Sequence, residues 1–104
     1  MYRLTVFYPH PTDTEHFRTY YESKHLPLAR QLPNVRNATY SLDIAGVSGE
    51  SPYYALWEAD FDSPEAMGEA LESAIGQQLI DDVPNYATGG AIIVHYALNG
   101  GDDK

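Results

Sequence analysis

Residues 53–65 read YYALWEADFDSPE, a strand that runs straight into a helix start. The aromatic and apolar residues from Tyr53 to Phe61 suit a pleated, half-buried surface. Ser63 or Asp62 can cap the turn that follows, Pro64 fits the first helical position, and Glu65 meets the positive end of the helix dipole. Met67, Ala70, Leu71 and Ala74 then recur at helical spacing and give that helix its apolar side. A helix between two strands, preceded by a hairpin, is one half of a split βαβ unit.

The other elements fall into place outward from this stretch. Gly46 to Pro52 is a turn, and Val35 to Ile44 (VRNATYSLDI) is the hairpin partner, with Ala38, Tyr40, Leu42 and Ile44 on one face. Tyr2 to Tyr8 (YRLTVFY) is a strand that Pro9 and Pro11 end. Thr12-Asp13-Thr14-Glu15 has the form of a capping box, with Thr12 as cap. Phe17, Tyr20 or Tyr21, Lys24 or His25, Leu28 and Leu32 mark the inward face of a helix, and Pro27 should kink or split it near His25 and Leu26. Downstream, Gly76 and the run Asp81 to Asn85 predict a broken second helix, and Gly89-Gly90 lead into AIIVHYAL (Ala91 to Leu98), the most apolar strand. The order β-α-β-β-α-β predicts an α+β fold, a ferredoxin-like sandwich forming one domain over 1–104, frayed from about residue 99. Two helices cover one sheet face only. The apolar residues on the other face call for a second copy, so a homodimer with face-to-face sheets is expected.

Composition narrows the partners. With 6 basic and 15 acidic side chains the formal charge is -9, and the scattered Lys and Arg do not form the cluster that phosphates demand. Nucleic acid and anionic membrane surfaces are therefore not expected. The absence of cysteine excludes disulfides, thiolate nucleophiles and Cys-based metal sites. No apolar run approaches the ~20 residues of a membrane span. The chain opens on a strand-like run with no room for a signal peptide, so the cytoplasm is the expected compartment.

No phosphate loop, dinucleotide fingerprint, nucleophile elbow or His-Glu-x-x-His run is present, and no flavin, nicotinamide or haem motif. The histidines (His10, His16, His25, His95) lack ligand spacing, so neither a metal nor a cofactor is expected. What remains is a titratable set. Tyr21 and His25 stand four apart, in phase with Phe17 and Leu28, which favours them over the pair His16 and Tyr20 for the buried side. A histidine there can act as general acid or base, and a tyrosine can donate to a developing oxyanion. A lone histidine on an apolar face is more often a satisfied core group. Asp81 reads as a solvated loop residue, whereas a carboxylate at Asp82 is a candidate to orient an imidazole and set its tautomer. Tyr8, Tyr40, Trp57 and Tyr96 lie in strands and are candidates to line a pocket between sheet and helices for a flat organic ligand.

These residues resemble a known family. Phe7-Tyr8-Pro9, His16 to Tyr21 (HFRTYY), Lys24 to Leu28 (KHLPL), Ser51 to Ala55 (SPYYA), Phe61 to Glu65 (FDSPE) and Asp82 to Tyr86 (DVPNY) are similar, in order and spacing, to the signature of the EthD proteins associated with ethyl tert-butyl ether degradation. The resemblance implies a dimeric α+β barrel. Members are often labelled oxidoreductases, and related barrels include cofactor-free monooxygenases, isomerases and dehydratases. Position by position it falls on Tyr8, Tyr21, His25 and Asp82. Together these readings imply a small-molecule enzyme of oxidoreductase, isomerase or dehydratase type in catabolic or secondary metabolism. His25 would move the proton, Asp82 would orient it, and Tyr21 and Tyr8 would hold an oxygen. The alternative is a non-catalytic accessory or carrier of a degradation pathway.

Overall fold

A computed structural model describes residues 1–100. Strand β1 (Tyr2–Pro9) is followed by helix α1 (Thr14–Tyr20), a π-helical turn (Tyr21–His25) and the single-turn helix α2 (Leu26–Ala29). Strands β2 (Asn37–Ser41) and β3 (Tyr53–Phe61) come next. Helices α3 (Pro64–Glu72) and α4 (Ala74–Asp82), a 3-10 turn (Val83–Asn85) and β4 (Ile92–Ala97) complete the chain. The sheet is antiparallel throughout, in the order β2-β3-β1-β4. This is the expected ferredoxin-like α+β fold. Of the tail expected to fray, residues 101–104 lie outside the described residues. No helix among the described residues is long and apolar enough to cross a membrane.

Register decides which residues meet the helices. Val6 stands opposite Trp57 and Ile93, and Leu4 opposite Ala59 and His95. Side chains alternate along a strand, so Leu4, Val6, Tyr8, Ala55, Trp57 and Ala59 all face the helical layer and are buried against it. Phe17, Tyr21, Leu26, Met67, Ala70 and Tyr86 close on them from above. The opposite face carries Arg3, Thr5 and Phe7, with Asp60, Glu58 and Leu56 across from them on β3. There the Arg3 guanidinium donates to both oxygens of Asp60 (2.8 and 3.3 Å) and holds that carboxyl below its ordinary range.

Three local readings change. The first helix is capped by Asp13, whose carboxylate accepts the His16 amide at 3.0 Å, and not by Thr12. Thr12 is instead engaged one step earlier, its amide donating to Thr88 Oγ1 at 2.8 Å. Strand β2 is shorter than the run 35–44; at its far end Asp43 adopts positive φ (56°), which breaks the extended run there. The second helix breaks at Ser73 and not at Gly76. Ser73 is extended (ψ 164°), and its hydroxyl donates to Ala70 O at 2.6 Å while accepting the Gly76 amide at 3.1 Å.

Gly76 is glycine because of the corner this makes. A Cβ there would lie 2.4 Å from the carbonyl oxygens of both Ala70 and Leu71. Gly68, inside α3, has open space around it. Alanine ordinarily stabilises a helix interior over glycine by ~1 kcal/mol. Gly68→Ala should follow that rule, whereas Gly76→Ala should destabilise by about 1–3 kcal/mol, the scale of an overpacked contact. Urea unfolding of the two variants against wild type checks the opposite signs.

Candidate functional site

Pro27 has no amide hydrogen and cannot continue the α-helical ladder. The helix answers with a wide turn: the Leu26 amide reaches Tyr21 O, five residues back, and the Ser23 hydroxyl donates to Thr19 O at 2.6 Å. The turn brings Tyr21, His25 and Leu26 all to the buried side. Tyr21 and His25 stack, ring centroids 5.4 Å apart and planes 14° apart. From the other helix, α4 ends on Asp82, and the 3-10 turn that follows delivers Asn85 and Tyr86. His16 Nε2 donates to Asn85 O at 3.0 Å and ties the two helical arms together.

One chain of hydrogen bonds runs through the centre. Asp82 Oδ1 accepts from Tyr20 Oη (2.6 Å) and from Asn85 Nδ2 (2.8 Å). Its Oδ2 lies 2.9 Å from His25 Nδ1, and His25 Nε2 lies 3.1 Å from Tyr86 Oη. Tyr86 Oη lies 2.8 Å from Tyr8 Oη. Burial pushes the Asp82 carboxyl up, but the bonds from Tyr20, Asn85 and His25 outweigh it and hold the group below its usual range. An ionised Asp82 can only accept, so His25 donates through Nδ1–H. The neutral ring then accepts at Nε2 from Tyr86 O–H, and Tyr8 O–H donates to Tyr86. The polarity Tyr8 to Tyr86 to His25 to Asp82 follows from the charge at its end.

Burial lowers the His25 pKa, against the opposing pull of Asp82, and it raises those of Tyr8 and Tyr86. All three groups are therefore neutral at pH 7. His25 and Tyr8 also form part of the wall of a cavity of about 60 Å³, otherwise apolar, between the sheet and α4. A larger groove of about 310 Å³ lies on the other side of Ala29, Leu32 and Trp57, which wall both spaces.

The structure thus brings His25, Asp82 and Tyr8 into one chain. Tyr21 stacks on His25, yet its buried hydroxyl has no hydrogen-bond partner among the described residues. Trp57 lies between the two cavities, and Tyr40 lines the groove, donating to Glu22 Oε2 at 2.7 Å. Tyr96 does not share the pocket expected for it. It stands opposite Arg3 on the far sheet face and bonds Thr5 Oγ1 at 2.7 Å. Sequence reasoning missed Tyr86, Tyr20 and Asn85. Asp82 and Tyr86 stand four apart around Pro84, the spacing of one helical turn, and that was the available signal. No group of three His, Asp or Glu side chains suited to a metal occurs among the described residues.

Comparison with known proteins gives the chain its relatives. The EthD domain model matches residues 9–90. An uncharacterized 11.0 kDa protein in the thcB-thcC intergenic region of Rhodococcus erythropolis is 40% identical over 96 residues, covering 90% of this chain and 91% of that one. The crystal structure of an ethyl tert-butyl ether d (EthD) family protein from Bacillus halodurans superposes with a TM-score of 0.87 at 26% identity, covering 95% and 99% of the two chains. A dimeric ferredoxin-like protein from Thermobifida fusca shares the fold at 15% identity, with a TM-score of 0.72 and coverage of 93% and 90%.

The direction of the His25 shift fixes a pH dependence. The unfolded chain takes up a proton on this histidine near 6.5, and the folded protein does so only at lower pH. Protons then favour the unfolded state, so stability is full above about pH 6.5 and declines below it. Asp82, depressed below 3.8, adds a further loss in more acidic solution. Urea midpoints should fall from pH 7 to pH 5, and His25→Gln should flatten that fall. By NMR titration, Asp82→Asn should drive the His25 pKa lower still, because burial is then unopposed.

Proposed function

The chain belongs to the EthD family, and from that premise we propose that it is an enzyme that moves a proton on a small, largely apolar organic compound, with His25 as its acid–base group. The observation that carries this reading is the hydrogen-bond chain from Asp82 through His25 and Tyr86 to Tyr8, which meets an apolar cavity at its far end. A substrate proton given to Tyr8 shifts the Tyr8 proton to Tyr86 and the Tyr86 proton to His25. The transfer is concerted, since burial disfavours a free tyrosinate at either position. The positive charge ends on the imidazolium, against Asp82. Run backwards, the chain returns a proton to another atom of the substrate. Isomerisation, dehydration, or an oxidation that begins with deprotonation all need that step.

The same reading makes the protein a homodimer. Strand β4 is an edge strand, and its outward face exposes Ile92, Val94 and Tyr96 at 37–44%. A second sheet packed there would cover them. Light scattering at micromolar concentration should give twice the single-chain mass, and a monomer would overturn this part.

One observation favours a second reading. The larger groove is not lined by His25, which suits a carrier that holds a ligand without converting it. Exchange of substrate hydrogens in D2O separates the two. Wild-type protein should speed H/D exchange next to a carbonyl or phenol in a panel of small ketones, lactones and phenols, read by NMR. His25→Ala should slow it by about 10²–10⁴-fold, the range of general acid–base catalysis. Tyr86→Phe, which breaks the chain but keeps the ring, should also slow it. Exchange that His25→Ala leaves untouched, or no exchange above buffer with any compound, would sink the enzyme reading and leave the carrier.

A further inference from the structure

We infer that the groove between α2 and the β2–β3 hairpin binds an organic monocarboxylate, the carboxylate on Arg30 and the apolar body on Trp57. The groove measures about 310 Å³, at the lower end of the range of small-ligand sites. Its walls are Leu26, Ala29 and Leu32 above, Ala38 and Trp57 below. Among the described residues, Arg30 is the one charged residue in that wall.

Arg30 is set apart by what it does not touch. Arg3, Arg18 and Arg36 each sit on a carboxylate, respectively Asp60, Asp43 and Asp62. Among the described residues, Arg30 and Lys24 are the basic side chains with no carboxylate oxygen within 4 Å. In a chain with 15 acidic side chains, partners for a guanidinium are plentiful. Glu22, the acid that Tyr40 of the groove wall meets, already accepts from Tyr40 Oη. Arg30 is thus a permanent cation in the wall of an apolar groove, its fork unfilled among the described residues. A guanidinium matches a carboxylate through two parallel N–H donations, and its match is poorer with a neutral amide or alcohol. The net charge of -9 repels anions at long range, but that field is screened beyond ~8 Å at physiological salt, and the local cation decides.

The ligand body is fixed by shape. Trp57 lines the groove with Ala29 and Ala38, an aromatic residue beside two small ones, which suits a benzenoid or short branched acid. Ala29, Leu32 and Trp57 also wall the His25 cavity, so a ligand in the groove lies one layer of side chains away from it. Recognition of the carboxylate stands by itself. Its meaning as substrate recognition rests on the proton-transfer reading above.

Trp57 is the sole tryptophan, so its fluorescence reports the groove. The probes are 3-phenylpropionate and its neutral amide, titrated at low and high salt. The carboxylate should change Trp57 emission saturably and bind about tenfold or more tightly than the amide, the scale of one charge-assisted pair. Added salt should narrow that gap, and Arg30→Gln, an exposed position, should remove it while binding of the amide persists. Equal affinity for acid and amide, a preference that survives Arg30→Gln, or no saturable change with either probe in folded protein would overturn the proposal. His25→Ala should leave carboxylate binding in place. Carboxylate binding without proton exchange on any compound would keep this groove and remove the enzyme reading. Exchange on neutral compounds with no carboxylate preference would do the reverse.

Discussion

The wide turn that precedes Pro27 is the constraint on which the site depends. In an unbroken α-helix, residues 21 and 25 share a face, but Leu26 would turn away from it by about a third of the circle. The π-helical turn inserts the needed rotation, so Tyr21, His25 and Leu26 are all buried. One missing amide hydrogen therefore sets both the direction of the imidazole and the docking of α2 on the sheet. The cost of the broken ladder is offset by the aromatic packing it makes possible. Phe17, Tyr21, Tyr8 and Tyr86 meet with centroids 5.1–5.6 Å apart, in edge-on, tilted and stacked arrangements that each exceed plain area burial.

That packing creates the electrostatic problem which Asp82 answers. A buried imidazole surrounded by aromatic rings loses hydration and stays neutral. Left alone, it would also have two nitrogens to satisfy in a place without water. Asp82 takes one and Tyr86 the other, so the ring is held in a single tautomer and orientation. Asp82 in turn is kept ionised by donors from Tyr20 and Asn85 as well as His25, even though it is half-buried. The charge is thus anchored at the helix ends, near solvent, while the neutral phenols extend inward. A chain arranged this way can carry a proton between the edge of the protein and its interior without stabilising a charge at the centre.

Much of the architecture is legible because it rests on short-range chemistry. The stretch from Tyr53 to Glu65 carries its own strand, cap and helix start, and Ser63 caps as its position indicates. The phase of Phe17, Tyr21 and His25 is readable from spacing, and Pro27 marks the break. What is not legible depends on competition between neighbours. Asp13 displaces Thr12 as cap because Thr88, far along the chain, holds Thr12. The choice of Tyr21/His25 over His16/Tyr20 is too strict a division. The wide turn leaves Tyr20 half-buried and able to reach Asp82, a rotation that a regular helical wheel does not contain. Tyr96 is assigned to a pocket by composition, whereas register against Arg3 puts it on the other face of the sheet.

The sheet and the helices divide the work. Strands β1 and β3 form the buried centre, and their side chains serve as a fixed floor. The polar groups of the site other than Tyr8 come from helical ends and turns, where backbone geometry is free to vary without disturbing the floor. Fold alone therefore leaves the chemistry open. In this chain the specific choices are a proline that widens a turn, a carboxylate that ends one helix, and an arginine at the end of another that has no carboxylate partner among the described residues. The first two make a histidine capable of accepting a proton in an apolar setting. The third lies across one layer of side chains from it, so the proposed charge recognition and proton transfer would occupy adjacent spaces divided by Trp57. Such a separation would have a physical reason: a guanidinium beside His25 would disfavour the imidazolium that the proposed transfer creates.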